Sequence, residues 1–189
     1  GMPLGIVVDN LPVYLRVHGV SLAAIGVFSS LTLPWTLKPL WAPLVDRCGE
    51  RHHWITAALL VMALATFAIP LTDPATPGTL LIAAVLVLTI AGATQDIAID
   101  AYTIGLLAPG EEGVGNGVRV SAYRAALIAS GGGLLLLASR GGWPLAFNVA
   151  ALLFAGLALA AWRAPRLPIT RQPAAAWARA FVAWLARPG

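Results

Sequence analysis

Residues 88–107 read LTIAGATQDIAIDAYTIGLL, and the fold turns on whether this run is a helix in lipid or a helix in water. Up to Thr94 the residues are small or apolar, as a membrane-crossing segment requires. Gln95, Asp96 and Asp100 then interrupt it, and the run closes apolar again. The four-residue spacing puts both carboxylates on one helix face. An aspartate at the centre of a membrane helix costs about 2.5–3.5 kcal/mol, so such residues face a protein interior or a water-filled cavity. On the helical rise, Asp100 is expected about 10 Å and Asp96 about 16 Å from one end of the span. An aspartate side chain is too short to reach the surface from there.

Working outward, the whole chain supports the lipid reading. Its 189 residues are 59% hydrophobic and 11% charged, with a mean hydropathy of +0.82, where soluble domains carry about 25% charged residues. An all-α integral membrane protein follows. The opening GMPLGIVVDNLPVYLRVHG is apolar, broken by Asp9 and Pro12, and reads as the tail of a first helix truncated at its start. Five further spans are expected at about 21–45, 55–71, 79–107, 115–138 and 144–162, joined by short connections. Residues 1–162 are thus expected to form one transmembrane bundle and 163–189 a basic linker. Trp54, Trp143 and Trp162 fall at span ends, where interfacial aromatics belong.

Arginines set the expected orientation. Arg47, Arg51, Arg163, Arg166, Arg171, Arg179 and Arg187 fall on one side and Arg16 and Arg140 on the other, which places the first group and the tail in the cytoplasm. Within the tail, Trp177, Phe181, Trp184 and Leu185 share a helical stripe opposite Arg179, so a helix lying on the cytoplasmic leaflet or a disordered tail are both open. The net charge of +4 is scattered through apolar helices and the tail, which is no nucleic-acid footprint. Cys48 is the only cysteine, so no intrachain disulfide forms. His52 and His53 read as interfacial loop residues, since a metal role needs further ligands that the spacing does not supply. No metal or cofactor is expected.

Other ionisable groups recur at the depth of the two acids. Lys38, in LTLPWTLKPLWAPLVDR, is expected about 10 Å from its cytoplasmic helix end. GVRVSAYRAALIASGGG carries Arg119, Tyr123 and Arg124; Arg119 is shallow enough to snorkel, whereas Arg124 is deeper and placed to meet an acid. Pro34, Pro39 and Pro43 break the second span, which is tolerated where neighbours or a cavity satisfy the freed carbonyls. Ser121, Ala125, Ala129 and Gly133 form a stripe of small residues that lets helices approach closely. Kinked, close helices around a charged centre suit a transporter.

The loop APLVDRCGERHHW holds Asp46, Arg47, Gly49 and Arg51 in the spacing D-R-x-G-x-[RK], which resembles the motif between the second and third helices of the major facilitator superfamily. It departs at Ala42 and Glu50, where that family commonly has glycine and a base. An acid ending one helix can pair there with arginines and latch a cytoplasmic gate. PWTLKPLWAPLVDR, ATQDIAIDAYTIGLL and GNGVRVSAYRAALIASGGG resemble the AmpG-type permeases and their acetyl-CoA transporter relatives, over nearly all of residues 1–162.

That resemblance implies the N-terminal six-helix bundle of a twelve-helix, proton-coupled carrier in a bacterial inner membrane, importing a cell-wall muropeptide or a similar anionic amphiphile. It implies that Asp96 and Asp100 are coupling acids and that Lys38, Arg119 and Arg124 are ion-pair partners or anion contacts. Gln95 and Tyr123 then line the pocket. The partners implied are a small solute, protons, the bilayer and a C-terminal six-helix half, in the same chain or a separate one. Lys38 is expected beside Asp100. Two other classes stay open: a membrane receptor without transport, and an intramembrane transferase using Asp96 and Asp100 to hold Mg²⁺. The latter needs a second acidic cluster at membrane depth, which the sequence lacks.

Overall fold

The structure, a computed structural model, describes residues 1–47, 49–108 and 110–165, with Asp46 and Arg47 described through their backbone alone. Cys48, the side chains of Asp46 and Arg47, and the expected surface helix around Trp177–Leu185 lie outside the described residues.

Among the described residues, six helical rods follow one another. α1 (residues 2–17) joins Met2–Gly5, a π-helical turn Ile6–Asn10, and Leu11–Val17. Pro12 explains the widened turn. It has no N–H to give the carbonyl four residues back and its ring crowds that carbonyl, so the helix loosens just before it. α2 (residues 22–47) is broken by its prolines as expected. Leu22–Ser29, a 3₁₀ turn Ser30–Thr32, Leu33–Leu37, a second 3₁₀ turn Lys38–Leu40, and Ala42–Arg47 succeed one another, each proline sitting in the first turn of a new segment.

α3 (Arg51–Leu71) and α4 (Thr79–Leu106) are long and apolar enough to cross a bilayer, as is the stretch Glu112–Trp162. The last of these is two rods. Gly142, at φ 81° and ψ 165°, breaks it into α5 (residues 112–141) and α6 (residues 143–162), so the expected five-residue connection shrinks to one glycine. α5 carries its own π-helical turn, Ala129–Gly133.

α3 starts at Arg51 rather than near 55 and draws both histidines into its first turn. Gly49, at φ 76°, makes the preceding turn tight enough for the helix to begin at once. His52 is in consequence 4% exposed, not an interfacial loop residue.

α3 packs along α4 on one side and α6 on the other. Ile6, Leu11 and Leu15 of α1, Met62 of α3, Leu81, Val85 and Leu88 of α4, and Phe147 and Phe154 of α6 form one buried cluster. Lipid is as apolar as leucine, so fit and hydrogen bonds rather than hydrophobicity hold such rods together. Gly92 of α4 shows the fit. A Cβ there would stand 3.1 Å from the Trp35 ring of α2 and 3.2 Å from Pro3 of α1. Gly5 of α1 is tighter still, since a Cβ there would overlap the Ser130 hydroxyl of α5.

Where the two π-helical turns meet, Asn10 is 1% exposed and its amide donates to the carbonyls of Gly5 at 3.1 Å and Ser130 at 2.7 Å. Asn10→Ala should lower the unfolding free energy in mixed detergent by about 1 kcal/mol, the scale of hydrogen bonds between membrane helices. Gly5→Leu, which forces α1 off Ser130, should cost more than Asn10→Ala.

The connection between α3 and α4 is ordered by Asp73. Its carboxylate accepts from the Thr76 hydroxyl at 2.6 Å and the Ala75 N–H at 3.0 Å, and these bonds hold it below the usual carboxylate range. A depressed value in the folded state means the contribution is present above the ordinary carboxylate pKa and is lost as pH falls through the lowered one. Protection of the Ala75 amide, measured against the intrinsic exchange rate at each pH, should therefore fall only on acidification below about pH 4, and Asp73→Ala should remove that dependence.

Candidate functional site

α4 carries the acids, and its neighbours supply the cations. Lys38 Nζ lies 2.6 Å from Asp96 Oδ2, joining α2 to α4. Arg119 Nη1 pairs with Asp100 Oδ1, joining α5 to α4. Beside the first pair, the Trp41 indole N–H donates to Thr94 Oγ1 at 3.3 Å. A single turn of α4 is thereby tied to both flanking helices.

This pairing corrects the expectation that Lys38 stands beside Asp100. α2 continues to Arg47 and contains 3₁₀ turns, which rise about 2 Å per residue. Lys38 consequently sits about 15 Å from its helix end, level with Asp96, while Asp100 and Arg119 are each about 10 Å from theirs. The roles expected of the two arginines are also exchanged. Arg119 meets an acid instead of snorkelling away, and Arg124 is exposed with no ion pair among the described residues. Five residues separate them, about 140° around the helix axis, so both cannot face α4.

The two pairs differ in setting. The Lys38 and Asp96 side chains are 28% and 23% exposed, those of Arg119 and Asp100 44% and 51%. Removing one partner of a buried pair costs about 3–5 kcal/mol, and partial exposure brings Lys38–Asp96 below that range. An exposed pair is worth about 0–1 kcal/mol, so Arg119–Asp100 can open at little cost. The first pair is thus the more enclosed and the second the more open.

Asp100 and Arg119 open onto a cleft of about 400 Å³ between α4 and α5, completed by Thr103, Ile104, Leu107, Glu112 and Asn116. Sequence reasoning passed over Thr103, Glu112 and Asn116. The signal was their helical spacing: Thr103 and Leu107 flank Asp100 on α4, and Glu112, Asn116 and Arg119 share one face of α5. Gln95 is half-buried and hydrogen-bonds to nothing among the described residues, and Tyr123 is 39% exposed on α5. Neither hydrogen-bonds to the ion pairs among the described residues, although Tyr123 lies within electrostatic reach of Asp96. Of the loop motif, Gly49 takes the left-handed conformation that suits glycine and Arg51 opens α3. The expected latch depends on Asp46 and Arg47, whose side chains lie outside the described residues.

An arginine paired weakly with an acid beside a cleft can bind an anion. The incoming anion displaces the acid, and an acid left without its cation in a medium of low dielectric takes up a proton more readily.

Comparison with known proteins agrees with this architecture. The family model of the Major Facilitator Superfamily matches residues 2–187. An uncharacterized protein of Haemophilus influenzae is 36% identical over 80% of this chain and 37% of its own length. The Anhydromuropeptide permease of Escherichia coli K12 is 32% identical over 76% of this chain and 30% of its own. Putative transporter AmpG 4 of Rickettsia conorii is 32% identical over 82% and 40%. The chain spans 30 to 40% of the length of these relatives. With a family match over nearly its whole length and membrane-spanning helices in sequence, the chain belongs to the Major Facilitator Superfamily.

Proposed function

We propose that this chain supplies the N-terminal six-helix half of a secondary transporter that imports an anionic amphiphilic solute, of the cell-wall muropeptide kind, together with protons. The observation that carries the reading is the pair of ion bridges on one turn of α4, of which the Asp100–Arg119 bridge borders a cleft. The name of the Escherichia coli relative supports the solute class. Twelve-helix carriers of this kind hold solute between two halves, so the complete carrier includes a second bundle facing α5. The arginine distribution argues for the cytoplasm at the α2–α3 and α4–α5 connections and at the tail.

In this mechanism Arg119 is the group that changes partner. A solute carboxylate entering the cleft takes over the guanidinium from Asp100, and Asp100, now uncompensated, accepts a proton. When the solute leaves, Arg119 recaptures Asp100 and the proton is released. Solute and proton bind together because each removes the obstacle to the other. Lys38–Asp96, less exposed and stronger, holds α2 against α4 throughout and marks the inner end of the path.

The test uses the complete carrier in proteoliposomes. Asp100→Asn should abolish accumulation driven by a pH gradient while leaving solute exchange at equilibrium intact. Accumulation at the wild-type level in that variant would remove Asp100 from the coupling mechanism. Arg119→Ala should raise KM for an anionic muropeptide by about 10–100-fold, the worth of a charged hydrogen bond, and have little effect on binding of a neutral analogue. Equal losses for both solutes would sink the anion-contact role.

A further inference from the structure

At the turn into α3, Glu50, His52 and His53 converge. One potential ligand atom from each lies within 4.8 Å of the others. The His52 and His53 rings are 4.1 Å apart, centre to centre, at 44°. Glu50 Oε2 is 3.2 Å from His52 Nδ1, yet it is closed to solvent and accepts no hydrogen bond among the described residues. The two atoms are neighbours without being aligned as donor and acceptor. Ligand atoms around one ion stand in that relation: bonds of about 2.0–2.1 Å in a tetrahedron set them about 3.3 Å apart.

We propose that Glu50, His52 and His53 form a binding site for a divalent first-row transition ion of the Zn²⁺ class. Two imidazoles and one carboxylate suit such ions and discriminate against Mg²⁺ and Ca²⁺, which take oxygen ligands. His52 is held rigidly, being 4% exposed and anchored by its own carbonyl, which accepts from the Thr56 hydroxyl at 2.8 Å. His53 is exposed and supplies the adjustment, turning its ring to close the remaining distance. Three protein ligands leave a coordination position for water. The positive end of α3 and the neighbouring Arg51 oppose a bound cation, so the affinity belongs in the micromolar range. An ion here joins the Gly49 turn to α3 and, through the His53 ring 5.6 Å from that of Trp162, to the end of α6. The site adjoins the loop motif without using its charged residues.

The test is titration of Zn²⁺ alone into the native protein that contains this chain, purified without a histidine tag and followed calorimetrically. Micromolar binding is expected, undiminished by excess Mg²⁺. His53→Ala, at an exposed position where folding is unaffected, should weaken it by more than the roughly tenfold that even outer-shell changes cause. Glu50→Gln should weaken it likewise. Ni²⁺ should quench tryptophan emission in the wild type, and less in Trp162→Phe and in His53→Ala. Absence of binding, binding unchanged in His53→Ala, or binding lost in Cys48→Ser would each overturn the three-residue site.

Discussion

A charge in lipid has to be answered by another charge or by a water-filled cavity, and α4 poses that demand twice within one turn. Asp96 and Asp100 point the same way along the helix yet are answered from opposite neighbours, by Lys38 on α2 and Arg119 on α5. Apolar contacts in a bilayer tell little between one helix arrangement and another, because lipid competes on equal terms. Ion pairs do discriminate, since a wrong arrangement leaves charges unmet. The position of α2 relative to α4 therefore rests largely on the less exposed Lys38–Asp96 pair, whereas the exposed Arg119–Asp100 pair constrains α5 only weakly.

The irregular backbone serves the same constraint. A straight α2 would put Lys38 higher and at another angle; three prolines and two 3₁₀ turns lengthen the rod and bring the ammonium level with Asp96. On the far side, the π-helical turns of α1 and α5 meet at Asn10, whose amide satisfies carbonyls of both helices. Gly5 lets α1 come near enough to α5 for the bond to Ser130 to form, and Gly92 lets α4 approach α1 and α2. Each departure from regular helix is thus matched by a polar group or a glycine that makes it tolerable in lipid.

α5 stands apart from the other rods. No residue of Glu112–Ile128 is buried, although the segment carries Arg119, Tyr123, Arg124 and a stripe of small residues. α1, α3, α4 and α6 provide nearly all of the buried cluster. The molecule is thus divided into a packed wall and an open, charged face. In the proposed carrier that open face borders the solute path, where Arg119 needs freedom to change partners and a buried arginine would have none.

Much was legible in the residues alone. Apolar runs and their polar punctuation marked the rods of the described residues and placed most boundaries within a few residues, because length and hydropathy are local properties that a bilayer reads directly. The prolines announced a broken α2, and the intramembrane charges named the side chains that had to meet. Which acid meets which cation was another matter. It depends on axial depth and helical phase, and both shift with each 3₁₀ or π turn, so regular helical spacing alone pairs Lys38 with Asp100 and favours Arg124 over Arg119, where the structure pairs Lys38 with Asp96 and Arg119 with Asp100. The cleft residues Thr103, Glu112 and Asn116, and the convergence of Glu50 with two histidines, lay beyond the sequence for a related reason. They are ordinary residues until a tight turn sets one helix against the next. The sequence determined that charges must be paired within the membrane; only the tertiary structure decided the pairs, because pairing depends on distances between helices and those are set by how the rods bend and pack.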